Sequence, residues 1–378
     1  MMISKELWTK VHLWLGLISA PLVFFVCITG TIFVFSDEII DLSAGEARYV
    51  NEVKESRLST EKLLDIVREA FPKRMQPSYM VCYKDPHRSI RFNSYSKTEG
   101  LHMVYIDQYT GEILKDDATI YFFYVLAHLH HSLLWHDGGP WIIDIVSILF
   151  LIALISGIVL WWPQKWDKKH KKASFTIKWS ASLKRINLDL HKVYGFYGAG
   201  IAFILVITGL LIAFKPFAAF TKNLFGGDAA LEMKSLMVQA PKDTISSQAS
   251  IDVAIQDAFE TYPHKNQLQL LTFRMDQWDY LLIKMSNKIG IKSAMDGVYV
   301  AYDKYTGEKF DLPRAFRINK KVEDVYWSLH LGNYMGLFGK IVTFLGGLIA
   351  SSLPVTGFII WLNKRKKINK NKRVFSEL

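Results

Sequence analysis

The chain has 378 residues, half of them hydrophobic and 14% aromatic, and a formal net charge of +11. That length accommodates two or three units, and the mixture suits membrane segments alternating with ordinary folded ones. The excess of Lys and Arg sits in three short stretches with no nucleic-acid motif among them, which argues for topology signals and against DNA or RNA as partner.

In chain order, residues 1–36 predict a first membrane helix, built on the apolar run from Val11 to Phe35. A bilayer core is about 30 Å thick, and this run is long enough to cross it. The opening MMISKELWTK imitates the basic start of a signal peptide, but the apolar run is too long and has no small-residue cleavage site, so retention is expected. Residues 37–124 predict an α+β domain. A helix, STEKLLDIVREAFP from Ser59, precedes alternating strands such as SIRFNSY and MVYIDQYTGE. Residues 125–163 hold an interfacial helix and a second span over Trp141–Trp162, and 164–187 form a basic loop. A third span follows at 188–215, around Val193–Phe214. A second α+β domain occupies 216–325, with ASIDVAIQDAFETYP from Ala249, then QLQLLTF and YVAYDKYTGE. An interfacial helix and fourth span fill 326–363, the latter over Leu337–Leu362, and 364–378 form a basic tail.

Four spans put both termini on one side. Lys5, Lys10, the basic loop and the tail share that side, so the positive-inside rule makes it the cytoplasm and leaves the two long segments outside. Cys27 falls in a span and Cys82 in an external segment, so no disulfide is expected between them.

The chain reads as two copies of one pattern. His12 and Gly16 match His191 and Gly195, and Thr29-Gly30 matches Thr208-Gly209, all at a register of 179. Leu129-His130 matches Leu329-His330, Gly139 matches Gly339, Gly157 matches Gly357, and Trp161 matches Trp361, at a register of 200. Asp107-Gln108-Tyr109-Thr110-Gly111-Glu112 matches Asp303-Lys304-Tyr305-Thr306-Gly307-Glu308, a turn between strands in which Gly supplies positive φ. Each half is therefore span, external domain, span, and parallel halves of this kind predict a two-fold relation about the membrane normal.

The repeat also filters the histidines. AHLHHSLLWH, from Ala127 to His136, carries four, but only His130 has a partner, His330; His128, His131 and His136 align with Ser328, Leu331 and Gly336. His12 pairs likewise with His191. Polar, ionisable groups at membrane positions signal function. Two equivalent helices facing one axis would oppose His12 to His191 at the cytoplasmic end and His130 to His330 at the outer end, the arrangement that grips a b-type haem from both faces. Gly16, Gly195 and the Thr-Gly pairs would let a macrocycle approach the backbone. Zinc fits less well, because neither pair brings a cysteine or a matching carboxylate. His128 and His131 remain as alternative or supporting ligands at the outer site. Lys10, Arg185 and Lys192 are candidates for haem propionates. Trp135, Trp141, Trp161, Trp162 and Trp361 read as belt residues at the membrane boundaries.

These motifs resemble the PepSY-associated transmembrane family, which includes bacterial ferric-siderophore reductases and iron-regulated membrane proteins. The resemblance rests on H-x-W-x-G with T-G (His12, Trp14, Gly16, Thr29, Gly30), H-x3-G with T-G (His191, Gly195, Thr208, Gly209), both D-x-Y-T-G-E turns, and L-H-x-x-L with S-G-x-x-x-W (Leu129, His130, Leu133, Ser156, Gly157, Trp161). The last span departs from it, with Asn333 after L-H-x-x and Thr356 before Gly357. The resemblance implies a four-helix membrane core with two periplasmic PepSY domains and two haems b per chain, held by His12, His191, His130 and His330. It further implies a transmembrane haem oxidoreductase of the bacterial inner membrane that delivers electrons to a periplasmic ferric siderophore or other ferric chelate. Some relatives carry a fused flavin domain; here the donor is expected to be separate, a quinol or a cytoplasmic reductase. The alternatives are a non-enzymatic PepSY protein that binds or regulates a periplasmic partner, and an electron-delivery subunit for another acceptor.

Overall fold

The computed structural model describes residues 5–163, 165–231, 250–272, 275, 278–292 and 294–376. Met1–Ser4, Gln164, Ala249 and Phe273, all included in the expectations above, lie outside the described residues, as do the last two residues of the basic tail. The chain divides into two compact units, one of Met1–Val34, Leu126–Phe214 and Leu329–Leu378, the other of Phe35–Val125 and Lys215–Ser328.

The first unit is a bundle of four long helices: α1 (Lys5–Phe33), α5 (Gly139–Trp161), α7 (Leu183–Ala213) and α11 (Gly336–Ser376). All four are long and apolar enough to cross a membrane. At 1.5 Å per residue even the 23-residue α5 extends about 35 Å. Both α1 and α7 pack against α5 and α11, so α1 and α7 stand at opposite corners, as do α5 and α11. Leu154, Ala202, Val206 and Ala350 fill the space between them, while Trp14, Ile18, Phe24 and Phe203 point outward and are exposed. Large apolar side chains on an outer surface suit lipid rather than water. Trp161 departs from the belt expectation. It is buried, stacks on Phe196 with centroids 3.7 Å apart, and donates from Nε1 to the Ser174 carbonyl. Trp135, Trp141 and Trp162 are exposed.

The second unit is built on an eight-stranded antiparallel sheet. The strands β1 (Tyr79–Tyr83), β2 (Ile90–Ser96), β3 (Gly100–Ile106) and β4 (Ile113–Asp117) come from the first long segment; β5 (Gln267–Leu271), β6 (Tyr280–Ser286), β9 (Val298–Asp303) and β10 (Lys309–Phe310) come from the second. Their order is β10-β9-β6-β5-β1-β2-β3-β4. A separate small hairpin pairs β7 (Lys288–Ile289) with β8 (Ala294–Met295). Where the sequence predicts two separate α+β domains, β1 and β5 pair from Tyr79↔Leu271 to Tyr83↔Gln267 and merge them into one sheet. The pairing satisfies backbone groups that two isolated sheets would each leave along an open edge. Helices α3 (Thr60–Ala70) and α9 (Ser250–Thr261) bury Leu63, Leu64, Val67, Ala254 and Ile255 in a core with Phe92, Val104, Leu268 and Ile283. Both D-x-Y-T-G-E segments are turns. Asp107 Oδ1 accepts from the amides of Tyr109 and Thr110, Asp303 Oδ1 from those of Tyr305 and Thr306, and Gly111 and Gly307 take φ of 78° and 74°. Cys27 and Cys82 are both free thiols.

Arg74 gives this unit a pH-dependent clasp. Its buried guanidinium donates to Glu99 at 2.6 Å and, in bidentate fashion, to Asp116 at 2.7 and 2.8 Å. Burial alone would raise the Asp116 carboxyl, but the hydrogen bonds from Arg74 and His102 hold it below the ordinary carboxylate range. A depressed carboxylate contributes stability above its unfolded pKa and loses it as pH falls through the folded one. Arg74→Met is therefore expected to cost about 1–3 kcal/mol near neutrality. The gap between variant and wild type should narrow below about pH 4, as thermal unfolding at pH 7 and pH 3 would show.

Candidate functional site

Four histidines enter the first unit in two pairs. His12 projects from the N-terminal third of α1 and His191 from that of α7, and their ring centroids lie 6.2 Å apart at an interplanar angle of 71°. His130, near the end of α4 (Thr119–Ser132), meets His330, the last residue of α10 (Arg314–His330), at 6.1 Å and 64°. The residues that receive these rings, described next, put the pairs at opposite ends of the bundle.

Each ring rests on a hydroxyl-glycine pair of another helix. His12 lies against Ser156-Gly157 of α5, His130 against Thr29-Gly30 of α1, His191 against Thr356-Gly357 of α11, and His330 against Thr208-Gly209 of α7. The glycine is required by space. A Cβ added at Gly157, Gly209 or Gly357 would come within 3.1–3.2 Å of a ring Cε1, and one at Gly30 within 2.7 Å. From the His12 level to the His130 receptor, α1 runs from residue 12 to residue 30, about 27 Å of helix.

The hydroxyls settle which ring nitrogen carries the proton. Thr29, Thr208, Thr356 and Ser156 each donate their own hydrogen to a carbonyl of the preceding turn. Their oxygens are thus left as acceptors, 2.9–3.3 Å from the Nδ1 atoms. Backbone carbonyls reinforce the choice: Ala153 lies 3.0 Å from His12 Nδ1 and Val26 2.9 Å from His130 Nδ1. A carbonyl only accepts, so Nδ1 is the protonated nitrogen and Nε2 keeps a lone pair. Donation from one ring nitrogen to an oxygen is how metal-binding histidines are oriented and made more basic. Each pair can present two such lone pairs to a metal between them. Among the described residues no three His, Cys, Asp or Glu side chains converge as a metal-holding group, so the protein offers two donors per centre.

The remaining candidates have partners of their own. His128 and His131 lie against each other, centroids 4.9 Å apart, while His130 is the ring paired with His330. Nothing comes within 4 Å of a Cβ at Gly16, and only Leu353 does so at Gly195, so neither glycine receives a histidine ring. Of the propionate candidates, Arg185 is held by buried Asp189 at 2.9 Å and Lys10 by Glu6 at 2.8 Å. Sequence reasoning singled out the S-G and T-G pairs but not their role as ring receptors. The signal was there, since a hydroxyl residue precedes a glycine in all four helices at matched registers.

Thr356→Val keeps the side-chain shape and deletes the acceptor for His191. A double-mutant cycle with His191→Ala is expected to give a coupling of about 1 kcal/mol in thermal unfolding; additivity would mean that the hydroxyl and the ring do not interact.

A family model described as the PepSY-associated TM region matches residues 9–364. No curated protein matches the chain in sequence.

Proposed function

The chain belongs to the PepSY-associated TM family, and from that premise we propose that it is a dihaem b oxidoreductase of the bacterial inner membrane, delivering electrons to a periplasmic ferric chelate such as a ferrisiderophore. The observation that carries the reading is the pairing of imidazoles at both ends of a membrane bundle, with Nδ1 of each beside an oxygen acceptor, which leaves Nε2 the unprotonated nitrogen.

The donor set fits haem iron. A metal–imidazole bond is about 2 Å and a ring centre lies about 1.1 Å behind its nitrogen, so two imidazoles that share one metal would have centroids up to about 6.2 Å apart. The two pairs stand at 6.2 and 6.1 Å. Two nitrogens per pair, with no third His, Cys, Asp or Glu converging on them among the described residues, suit a group that would supply the other donors to its own metal. His12 and His191 would hold the inner group, His130 and His330 the outer one. Bound there, the two haems would supply one-electron carriers near each face of the membrane, with a quinol or a cytoplasmic reductase as donor.

The chain's own residues account for orientation and insulation. Ser156, Thr29, Thr356 and Thr208 fix the rings, the four glycines admit them, and the apolar outer faces of α1, α5, α7 and α11 keep the centres in lipid. We assign Lys5, Lys10, the basic loop and the tail to the cytoplasm and the sheet unit to the periplasm, and read the two halves as an internal duplication, on the registers of 179 and 200 and the positive-inside rule. Reduction of the bound ferric ion lowers its charge density and loosens hard oxygen ligands.

The test is the absorbance spectrum of the purified full-length protein, oxidised and reduced, with haem quantified per chain. Two haems b with the sharp reduced bands of six-coordinate iron are expected. A colourless protein would leave the periplasmic unit as a binding or regulatory surface and end the redox reading.

A further inference from the structure

We propose that His128, His131 and His136 form a labile site for a divalent first-row transition-metal ion, with the ferrous product of the proposed reaction as its cargo; that choice of ion rests on the reductase reading, while the site itself does not. None of the three has a histidine counterpart at the register of 200, so the paired ligands leave them unexplained.

Residues three apart on a helix share a face, and His128 and His131 of α4 do so with centroids 4.9 Å apart and planes tilted by 54°. Two imidazoles bound to one ion at 90–110° stand about 4.5–5.2 Å apart, from the same bond lengths as above. His136 reaches back to His128 at 5.9 Å. That is wider than a chelate, and no three ligating side chains among the described residues are already closed on one point. His136 is exposed, however, so its side chain has room to change rotamer toward the pair.

The loop between them is strained to make this return. Leu133 and Leu134 take φ of 52° and 59°, the left-handed region that costs a branched residue about 1–2 kcal/mol. Leu134 is 52% exposed, so little burial offsets the cost. At the register of 200 Leu133 and Leu134 fall on Asn333 and Tyr334, which have no positive φ; the positive φ values of that loop lie on Gly332 and Gly336, where they are tolerated. The histidine-bearing loop thus keeps a costly backbone where glycine would relieve it, and strain of this kind gathers at binding sites.

Imidazole also discriminates by oxidation state. Ferric iron prefers hard oxygen donors and stays with its chelate, whereas ferrous iron is a borderline ion that accepts nitrogen. A histidine cluster that flanks His130, with His128 two residues before it and His131 one after, would take the ion only after reduction.

Anaerobic calorimetry on full-length protein without a polyhistidine tag, titrated with Zn²⁺ and then Fe²⁺, tests this. One ion per chain is expected for each metal. His128→Ala/His131→Ala should lose the binding, His136→Ala should weaken it by about tenfold or more, and His87→Ala in the sheet unit should leave it unchanged. Wild-type protein without one-ion binding, or binding indifferent to both histidine variants, would overturn the site. Haem is quantified in the same samples, so the two readings fail separately. A colourless protein that binds Zn²⁺ sinks the reductase alone, and a red one that binds no ion sinks the metal site alone.

Discussion

Alanine in place of His130 or His330 is expected to remove one of two haems per chain and to spare the other, and alanine at His12 or His191 to remove the complementary one. The expectation follows from the position of the rings. Each pair is served by its own helices and receptors, and the two levels are separated by about 27 Å of α1 and the same length of α7, from residue 191 to residue 209. Loss at one level leaves the other's imidazoles, hydroxyls and glycines untouched. Within a pair the loss should be nearly complete, because one remaining Nε2 replaces two and the deleted ring leaves an apolar void beside the metal. Haem quantified per chain and the reduced-minus-oxidised spectrum read the result. Exogenous imidazole offers a second readout that general damage would not reproduce: in His130→Gly the free base should enter the vacated space and restore a six-coordinate spectrum. Wild-type haem content in all four alanine variants would rule out the histidines as ligands.

What the sequence disclosed, and what it withheld, divides along physical lines. The four histidines were legible because a register repeated at 179 and 200 separates them from seven others that composition cannot distinguish. The D-x-Y-T-G-E turns were legible because their chemistry is local: an Asp to accept two amides and a Gly for positive φ. Merging of the two external segments was not. Strand β1 at a sheet edge and β1 paired with β5 have the same alternation of Met80 and Cys82 inward, so pattern alone does not say what lies beside it. As a guide to the ring receptors, a glycine near a histidine in sequence, such as Gly16 or Gly195, misleads, because it lies on the histidine's own helix whereas the ring is received by a different one. Trp161 misled in the same way: its position suits a belt residue, but Phe196 and the Ser174 carbonyl, both remote in sequence, draw it inside.

Gly30→Ala should separate ligation from stability, with the two moving in opposite directions. Within a helix, alanine is favoured over glycine by up to about 1 kcal/mol, so an inert position gains helix stability on this exchange. Gly200→Ala in α7, exposed and with nothing within 4 Å of the new Cβ, is the internal control and is expected to behave that way. At Gly30 the same methyl would stand 2.7 Å from Cε1 of His130, closer than real contacts allow, and 3.1 Å from its Nδ1. Either the ring swings away, breaking its hydrogen bonds to the Val26 carbonyl and Thr29 hydroxyl and misdirecting Nε2, or α1 and α4 move apart. Both outcomes disturb the placement of His130 at 6.1 Å from His330. The outer haem should therefore be lost or turn five-coordinate, while helical content by circular dichroism holds or rises. Gly209→Ala, where the contact would be 3.2 Å and a small shift relieves it, should produce a milder version on the His330 side. An unaltered outer-haem spectrum in Gly30→Ala would mean that the ring does not rest where the glycine admits it, and the orientation assigned to Nε2 would fall with it.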